Sequence, residues 1–257
     1  MIIGVDIDEI LAEFYKDFLD WMKREQGISV SYDQLYTYRL CNILGESQEQ
    51  SLTRLHEFLH KHARDIQVVL GSQQGIQALA QNHDLYAITS RDRFSEDDTR
   101  WWLNKHFEGC FEDVYFANHK DAGFHVSKSH FIKQLNVDVM IEDYEAYALD
   151  VASTGIPVLM LKKPWNDKEH HNGVFVIDSW EQIPRFVDDL ALRHTFSPGE
   201  YQHYNGTVYV AERLVRDEET LESRVIYRSQ DQKMWWSMPI HQFFSQKKGK
   251  QHFTVYK

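Results

Sequence analysis

The 257-residue sequence predicts an α/β protein in which a parallel sheet is flanked by helices and followed by a small all-β domain. From about residue 68 to 192, apolar strand-like runs alternate with helix-like segments, which is the pattern of a parallel sheet covered on both faces. A mostly helical stretch, residues 13–68, interrupts this alternation directly after the first strand. After residue 196, short β-branched and aromatic runs separated by turn residues replace the helices, which predicts an all-β region.

The composition supports two domains and excludes several classes of protein. The chain has a formal net charge of −11 with only 12 Gly and 5 Pro, so it is neither disordered nor collagen-like. Such acidity disfavours a general nucleic-acid binder. Residues 1–195 carry a charge of −13 and residues 196–257 a charge of +2. This break predicts one domain over 1–195, with a helical cap at about 13–68, and a second domain over 196–257.

The first residues give no sign of export or membrane insertion. An apolar run of five residues ends at Asp6, and no apolar stretch of 18 residues follows. The two cysteines, Cys41 and Cys110, lack the spacing of a disulfide framework or a metal site. We therefore expect a cytoplasmic protein with two free thiols and no membrane partner.

The elements of the first domain follow from local patterns. Residues 2–7 are short and β-branched, as in a buried strand. Apolar residues at helical spacing predict helices over 11–26, ended by Gly27, and over 47–63, begun by Ser47. The later strands are predicted at 84–89, 113–117, 137–141, 156–161 and 174–177, and the remaining helices at 72–82, 95–107, 127–135, 144–154 and 179–192.

The second domain shows strand patterns and many aromatic residues. Strands are predicted at 207–211, 223–227 and 253–256, with a turn at Asn205-Gly206. We expect the aromatic residues to fill the small core, and a binding groove is the alternative. The residues concerned are Tyr204, Tyr227, Trp235 and Trp236.

Acidic pairs follow two of the predicted strands. Asp6 and Asp8 come just past the first strand, and side chains two residues apart point the same way. Two carboxylates at one point repel each other unless a cation or a shared proton lies between them, which suits a Mg²⁺ site. Glu142 and Asp143 end another apolar run. The alternatives are an acidic loop without function for the first pair and helix capping by Asp143, worth about 1 kcal/mol, for the second.

Hydroxyl and basic residues complete the pattern. Thr89 and Ser90 end the predicted strand at 84–89, where hydroxyl and N–H groups form either an anion site or a simple N-cap. Lys128 lies in the first turn of a predicted helix, where the macrodipole disfavours a cation, which indicates another task. An ordinary surface lysine is the alternative. For Arg91 and Arg39 we expect surface ion pairs, and contact with the substrate is the alternative.

An Asp-x-Asp motif, a hydroxyl pair, a lysine and an acid pair thus fall in order along the predicted strand ends. In this order they resemble the haloacid dehalogenase (HAD) superfamily of phosphotransferases, through the segments GVDIDEIL, LYAITSR, KSHFIKQLNVDVMIED and LMLKKPWN. Within that superfamily the chain is most similar to the 5′(3′)-deoxyribonucleotidase-like group and its bacterial relatives. The resemblance implies a Rossmann-like core with a small helical cap inserted after strand 1.

The resemblance also implies a role for each matching residue. Asp6 is expected to be the nucleophile that takes up the phosphoryl group, and Asp8 to be the acid and base. Thr89 and Ser90 are expected to bind the phosphate, and Lys128 to neutralise its charge. The expected Mg²⁺ ligands are Asp6, the Asp8 backbone carbonyl, Asp143 and Glu142.

The resemblance extends to the substrate. Phe14 falls where the deoxyribonucleotidases carry an aromatic ring that stacks on the base, and packing inside the cap is the alternative. Glu9 stands where many members have glycine. The implied enzyme is a Mg²⁺-dependent phosphomonoester hydrolase for nucleoside 5′-monophosphates or deoxynucleotides. A phosphatase of another small metabolite, or a non-catalytic binding protein of the same fold, is the alternative.

The last part of the chain resembles a small bacterial domain family of unknown function. The similarity runs over about residues 197–244, through a Y-x-H-Y opening, an E-T-L-E turn, a V-I-Y-R strand and a W-x-x-P-x-x-x-F end. This similarity indicates no catalytic or binding residues. The expected partner of the whole chain is therefore a small phosphorylated substrate, a nucleotide, and not a nucleic acid.

Overall fold

The computed structural model describes residues 1–117, 126–166, 172–217, 220–231 and 233–256. The chain divides into two compact units, Met1–Pro184 and Arg185–Lys257. The first unit contains a six-stranded sheet, and the second contains a five-stranded sheet.

The sheet of the first unit is parallel throughout and confirms the predicted α/β class. Its strands are β1 (Ile2–Val5), β2 (Asp84–Thr89), β3 (Asp113–Phe116), β4 (Val139–Glu142), β5 (Val158–Leu161) and β6 (Val174–Ile177). They lie in the order β3-β2-β1-β4-β5-β6. Strand β1 is therefore central, with β2 on one side and β4 on the other. The carboxyl ends of these three strands lie side by side, and this edge is where ligands bind in open α/β sheets.

The segment between β1 and β2 is mostly helical, as predicted. It contains α1 (Phe14–Trp21), a π-helical turn (Met22–Gln26), a 3₁₀ turn (Tyr32–Gln34), α2 (Leu40–Leu44) and α3 (Gln48–His62). The helix predicted over 11–26 begins later, at Phe14, and changes to the π-helical turn after Trp21. It ends at Gly27 as predicted, where the backbone is left-handed. Ser47 caps α3 as expected, since its hydroxyl accepts a hydrogen bond from the Gln50 N–H at 3.2 Å.

Further helices lie between and after the strands of this sheet along the chain. They are α4 (Ser72–Ala80), α5 (Glu96–His106), α6 (Lys128–Leu135), α7 (Glu145–Ala152) and α8 (Ile183–Arg193). Glycine at position 75 of α4 permits a close approach of Trp180, because a Cβ there would lie 2.4 Å from Trp180 Cε3. The Trp180 indole is buried and donates a hydrogen bond to the Ile10 carbonyl at 2.7 Å. No helix in the described ranges is long and apolar enough to cross a membrane.

The second unit is built on an antiparallel sheet in the order β10-β9-β8-β7-β13. Its elements are β7 (Gly199–His203), β8 (Val208–Arg216), β9 (Ser223–Ser229), β10 (Trp235–Pro239), α9 (Ile240–Phe243), β11 (Gln246–Lys247), β12 (Lys250–Gln251) and β13 (Phe253–Val255). This confirms the predicted all-β region, although β7 and β10 were not predicted. Glu219, which begins the predicted E-T-L-E turn, lies outside the described residues.

The core of the second unit is aromatic. The rings of Phe243 and Phe253 stack with centroids 4.3 Å apart, and Tyr227 packs edge-on against Phe253 at 5.2 Å. Trp236 stacks on Tyr227 at 5.7 Å, as expected of a core residue. The same expectation is wrong for Trp235, which is 53% exposed.

Candidate functional site

Three predicted acids meet at the carboxyl edge of the first sheet. Asp6 follows β1, Glu142 is the last residue of β4, and Asp143 follows it. Strand β1 runs beside β4 with Val5 opposite Ile141, so the residues that come next are neighbours. One carboxylate oxygen of each acid lies within 4.8 Å of the others, and all three side chains are buried.

Lys128 provides a buried cation between two of these acids. It is the first residue of α6, and its Nζ lies 2.8 Å from Asp6 Oδ1 and 2.7 Å from Glu142 Oε2. Its side chain is 0% exposed, so it is not an ordinary surface lysine. The ammonium also lies 4.8 Å from the centre of the Tyr147 ring, which is favourable for a cation. These contacts fix the lysine at the centre of the acidic cluster.

The electrostatics of the cluster follow from its burial. Burial and the charge of Glu142 raise the pKa of Asp6 to about 8. Burial and the charges of Glu142 and Asp6 also raise the pKa of Asp143 well above its usual value. Burial lowers the pKa of Lys128, but the charges of Asp6 and Glu142 outweigh it and leave that pKa raised.

The donor set of this cluster fits a hard divalent cation. When all three carboxylates are ionised, they and the ammonium have a formal charge of −2, which a divalent ion would offset. Asp6 Oδ1 is buried and accepts no well-aligned hydrogen bond from the described residues, although Lys128 lies beside it. Carboxylate oxygens are the ligands that Mg²⁺ prefers in proteins.

The segment after β5 holds Asp143 in place. Trp165 Nε1 donates a hydrogen bond to Asp143 Oδ2 at 3.1 Å. Asn166 Nδ2 donates to the Asp143 carbonyl at 2.7 Å and to the Leu161 carbonyl at 2.9 Å. Because Leu161 ends β5, the Asn166 amide connects the Asp143 backbone to the sheet, while Trp165 holds the carboxylate. The sequence indicated the similarity of this segment but not its supporting role.

Glu142, rather than Asp143, binds the backbone at the start of α7. Its Oε1 accepts hydrogen bonds from the N–H groups of Asp143 at 3.2 Å and Tyr144 at 3.1 Å. The N-cap residue of α7 is Tyr144, and no side chain caps it. The alternative that Asp143 serves as a helix cap is therefore wrong.

The two hydroxyl residues after β2 differ in exposure. Thr89 is fully buried, and its Oγ1 accepts a hydrogen bond from the Arg91 N–H at 3.1 Å. Ser90 lines a cavity that also contains Asp6 and hydrogen-bonds to the Tyr147 side chain. Of this predicted pair, Ser90 is the residue that faces the cavity.

Asp8 lines the same cavity and is held by Arg91. The expectation of a surface ion pair for Arg91 is wrong, because the arginine is buried and its partner is a predicted site residue. Sequence reasoning missed this functional contact. The position of Arg91 directly after Thr89 and Ser90, at the same sheet edge, was the signal that could have indicated it.

Glu9 links the turn after β1 to the helical insertion. It adopts a left-handed backbone with φ of 62°, a conformation that favours glycine. Its carboxylate accepts hydrogen bonds from the Tyr15 N–H and the Tyr32 hydroxyl, both at 2.6 Å. Burial raises its pKa, while Lys163 at 3.5 Å opposes that shift.

The cavity above these residues has a volume of about 480 Å³. Besides Asp6, Asp8 and Ser90, its lining includes residues of the insertion and of the start of α7, among them Phe14, Tyr38, Leu52, His56 and Tyr144. A larger cavity of about 660 Å³, beside Asp17 and Asp65, is lined by none of the predicted site residues and is not the site.

Phe14 fits both sequence interpretations in part. It lines the cavity but is only 6% exposed. Its ring stacks on Phe18 with centroids 5.9 Å apart and meets Phe58 edge-on at 5.5 Å. One part of the ring therefore belongs to the core of the insertion.

Comparison with known families decides the class of the protein. Residues 1–194 match the family described as "5′ nucleotidase, deoxy (Pyrimidine), cytosolic type C protein". The chain belongs to this family. It is thus a phosphatase, a 5′-nucleotidase-like hydrolase, and the predicted resemblance is confirmed. Residues 199–254 match a second family, described as "Protein of unknown function (DUF1653)".

Individual relatives agree with the family. A nucleotidase of Clostridium acetobutylicum is 24% identical over 193 residues, which is 73% of this chain and 94% of the relative. A haloacid dehalogenase-like hydrolase, SP0104 of Streptococcus pneumoniae, superposes with a TM-score of 0.56 at 12% identity over 72% of this chain and 97% of that one. YfnB of Bacillus subtilis, a HAD hydrolase solved bound to magnesium, superposes with a TM-score of 0.51 at 14% identity. The match covers 73% of this chain and 98% of that one. The first unit therefore has the HAD fold.

Proposed function

We propose that the protein hydrolyses phosphomonoesters with the aid of Mg²⁺, through a phosphoryl group carried on Asp6, and that its substrates are nucleoside 5′-monophosphates or deoxynucleotides. The observation that carries this proposal is the position of Lys128 Nζ, 2.8 Å from Asp6 and 2.7 Å from Glu142 at the edge of the sheet. A carboxylate nucleophile and a fixed cation at one cavity are what transfer of a charged phosphoryl group needs.

The residues divide the reaction between them. Asp6 attacks phosphorus as the bond to the leaving oxygen breaks, and Asp8 gives its proton to that oxygen, so an alcohol leaves. Asp8 then takes a proton from water as the water oxygen attacks phosphorus, which releases phosphate and restores Asp6. Lys128 stabilises the charge on the phosphoryl oxygens, and Ser90 and Thr89 supply hydrogen-bonding groups next to it.

Mg²⁺ is the proposed cofactor. Asp6, Glu142 and Asp143 would hold it with the Asp8 carbonyl, and Trp165 keeps Asp143 oriented through its hydrogen bond of 3.1 Å. When bound, the ion neutralises negative charge on the phosphate, which lowers the barrier to attack by a carboxylate. The formal charge of −2 that the cluster has when its carboxylates are ionised supports this proposal.

The cavity supports a nucleotide as the substrate. A volume of about 480 Å³ lies in the range of small-molecule sites. Tyr38 and Tyr144 stack at 3.9 Å in its wall, and Phe14 contributes to it, so aromatic surface is available to a base. We also propose that 1–195 and 196–257 are separate domains, with residues 13–68 as the cap, and that the protein is cytosolic as its family description states.

The test is release of phosphate from a panel of deoxynucleotides, ribonucleotides and sugar phosphates in the presence of MgCl₂. We expect turnover of at least one nucleoside monophosphate, loss of activity with EDTA, and a fall of at least about 1,000-fold in Asp6→Asn. Asp150→Asn, at an exposed position of α7, serves as the matched control and keeps full activity. A preference for sugar phosphates would overturn the proposed nucleotide substrate but not the phosphatase activity. No turnover of any compound would indicate a binding protein and overturn the proposal.

A further inference from the structure

Arg91 is a buried arginine at the edge of the candidate site. Its side chain is 1% exposed, although it is among the residues that line the cavity beside Asp6 and Asp8. Burial of a guanidinium is costly unless its donors are paired. The partners that pair it therefore indicate what it does.

Its principal partner is Asp8. Nη2 donates to Asp8 Oδ1 at 2.7 Å, and Nε lies 3.1 Å from both Oδ1 and Oδ2. Such a forked contact fixes the plane of the carboxylate as well as its position. The Asp8 side chain keeps 23% of its surface exposed, so one side of the carboxylate remains accessible while the other is held.

The guanidinium is itself anchored on further sides. Nη1 donates to Thr99 Oγ1 at 3.2 Å, and Thr99 is a fully buried residue of α5. The backbone N–H of Arg91 donates to Thr89 Oγ1 at 3.1 Å. Strand β2, α5 and the turn after β1 thus converge on one arginine, which makes it a rigid support rather than a mobile surface group.

We infer that Arg91 is the positioning residue for Asp8, holding its carboxyl group toward the oxygen of the leaving alcohol. This inference rests on the proposed function, in which Asp8 protonates that oxygen. In the same step the negative charge left on Asp8 is compensated by the guanidinium, which gains no proton and loses none. A general acid held in this way avoids the entropy of orienting a free side chain at the moment of reaction.

Arginine also binds phosphate by the same forked contact, so the second candidate role of Arg91 is that of a phosphate ligand. The two roles differ in their dependence on the leaving group. A phosphate ligand stabilises every phosphomonoester alike. In the step that expels the alcohol, a support for the general acid is important only when the leaving oxygen needs a proton, as an alkoxide does and the 4-nitrophenolate ion hardly does.

The experiment compares kcat/KM for a nucleoside 5′-monophosphate and for 4-nitrophenyl phosphate in the full chain. This quantity reports the steps up to departure of the leaving group and not the later attack of water, in which Asp8 acts as a base. In Arg91→Met we expect a fall of about 100-fold or more for the nucleotide, the usual contribution of a general acid, and of less than about fivefold for the nitrophenyl ester. Asp8→Asn should show the same selectivity, and the double variant should be no worse than the single ones on the nucleotide. Arg91→Lys, which keeps the charge without the fork, should be intermediate.

Two variants make the test independent of folding. Thr99→Val removes one anchor and leaves the ion pair, and we expect a selective loss of about 3–10-fold for the nucleotide. Arg100→Lys, on the same helix and paired with Asp113 and Glu96, is the control and leaves both rates unchanged. If Arg91→Met does not fold, Arg91→Lys and Thr99→Val decide the question by the same ratio of rates.

The outcomes separate this inference from the proposed function. Equal losses on both substrates, or no loss on either, overturn the role of Arg91 while wild-type turnover upholds the phosphatase. Absence of wild-type turnover on both substrates and on the wider panel overturns both. A selective loss on the nucleotide in the Arg91 variants and in Asp8→Asn supports the inference.

Discussion

The two compact units differ in what they bury. In Met1–Pro184 the buried charged residues gather at or beside the carboxyl edge of the sheet: Asp6, Glu9, Arg91, Lys128, Glu142 and Asp143. In Arg185–Lys257, among the described residues, one carboxylate is buried, Asp189, and it accepts a hydrogen bond from the Ser223 N–H at 2.9 Å. The rest of that core is largely aromatic.

The difference indicates which unit carries chemistry. Removing charges from water costs more than their mutual attraction returns in most buried pairs, so a cluster of six is unfavourable as a source of stability. Aromatic rings, by contrast, bury 150–250 Å² each by general experience, which is what a unit of about 70 residues needs to be stable. The buried charges of the first unit thus belong to the proposed site, whereas the aromatic interior of the second unit stabilises its fold.

The largest expected effect tests the buried cation. Lys128→Met leaves Asp6 and Glu142 close together without their shared partner. We expect the free energy of unfolding to fall by about 3–5 kcal/mol and kcat to fall about 100–1,000-fold. Urea denaturation and phosphate release measure the two effects. Lys133→Met, at an exposed position of the same helix, is the control, and equal behaviour of the two variants would show that the cation is not coupled to the acids.

The second prediction concerns the aromatic core. Phe243→Ala removes a fully buried ring that stacks on Phe253, and we expect a loss of about 3–5 kcal/mol in unfolding free energy. All proposed site residues lie in the first unit, so kcat measured below the unfolding transition should stay unchanged. A drop in kcat of the folded variant would refute the claim that the second unit has no part in catalysis.

The third prediction uses the metal. Magnesium at 100 times its dissociation constant should raise the unfolding free energy of the first unit by about 2.7 kcal/mol, because it binds the folded form only. Asp143→Asn should reduce this gain, and Phe243→Ala should keep it. Thermal unfolding with and without MgCl₂ measures the effect, and an equal gain in Asp143→Asn would remove that residue from the metal site.

The smallest effect tests packing within the first unit. Replacing glycine by alanine in a helix normally stabilises by about 1 kcal/mol. At Gly75 the new Cβ would lie 2.4 Å from Trp180 Cε3, so we expect Gly75→Ala to destabilise by about 1–3 kcal/mol instead. Gln77→Ala, on the exposed face of α4, should change stability by less than about 0.5 kcal/mol. Stabilisation by Gly75→Ala would mean that Trp180 can move at little cost.

The sequence predicted those parts of the site that depend on strand ends. Parallel strands share one carboxyl edge, so residues directly after apolar runs, such as Asp6 and Asp143, could be placed together without coordinates. Lys128 was identifiable because its helix position is unfavourable for a cation. The family resemblance assigned their roles.

The sequence could not predict contacts between side chains of different helices and strands. Arg91 contacts Asp8 over 83 positions of sequence, and no periodicity encodes such a contact. Strand β7 was missed because its exposed side is polar, and β10 because Pro239 and an unbroken aromatic run obscure alternation. The change from α-helix to π-helical turn after Trp21 is likewise a local backbone feature that apolar spacing does not reveal.

The central place of β1 has a consequence for how the protein is made. Ile3 in β1 pairs with Val139 in β4, so one neighbour of the central strand is synthesised 136 residues later. At a synthesis rate of about 5–20 residues per second, β4 is completed roughly 7–27 s after β1. During this interval an apolar strand has an unsatisfied edge and is open to wrong pairing. The nascent chain is therefore expected to depend on chaperones until β4 has been synthesised.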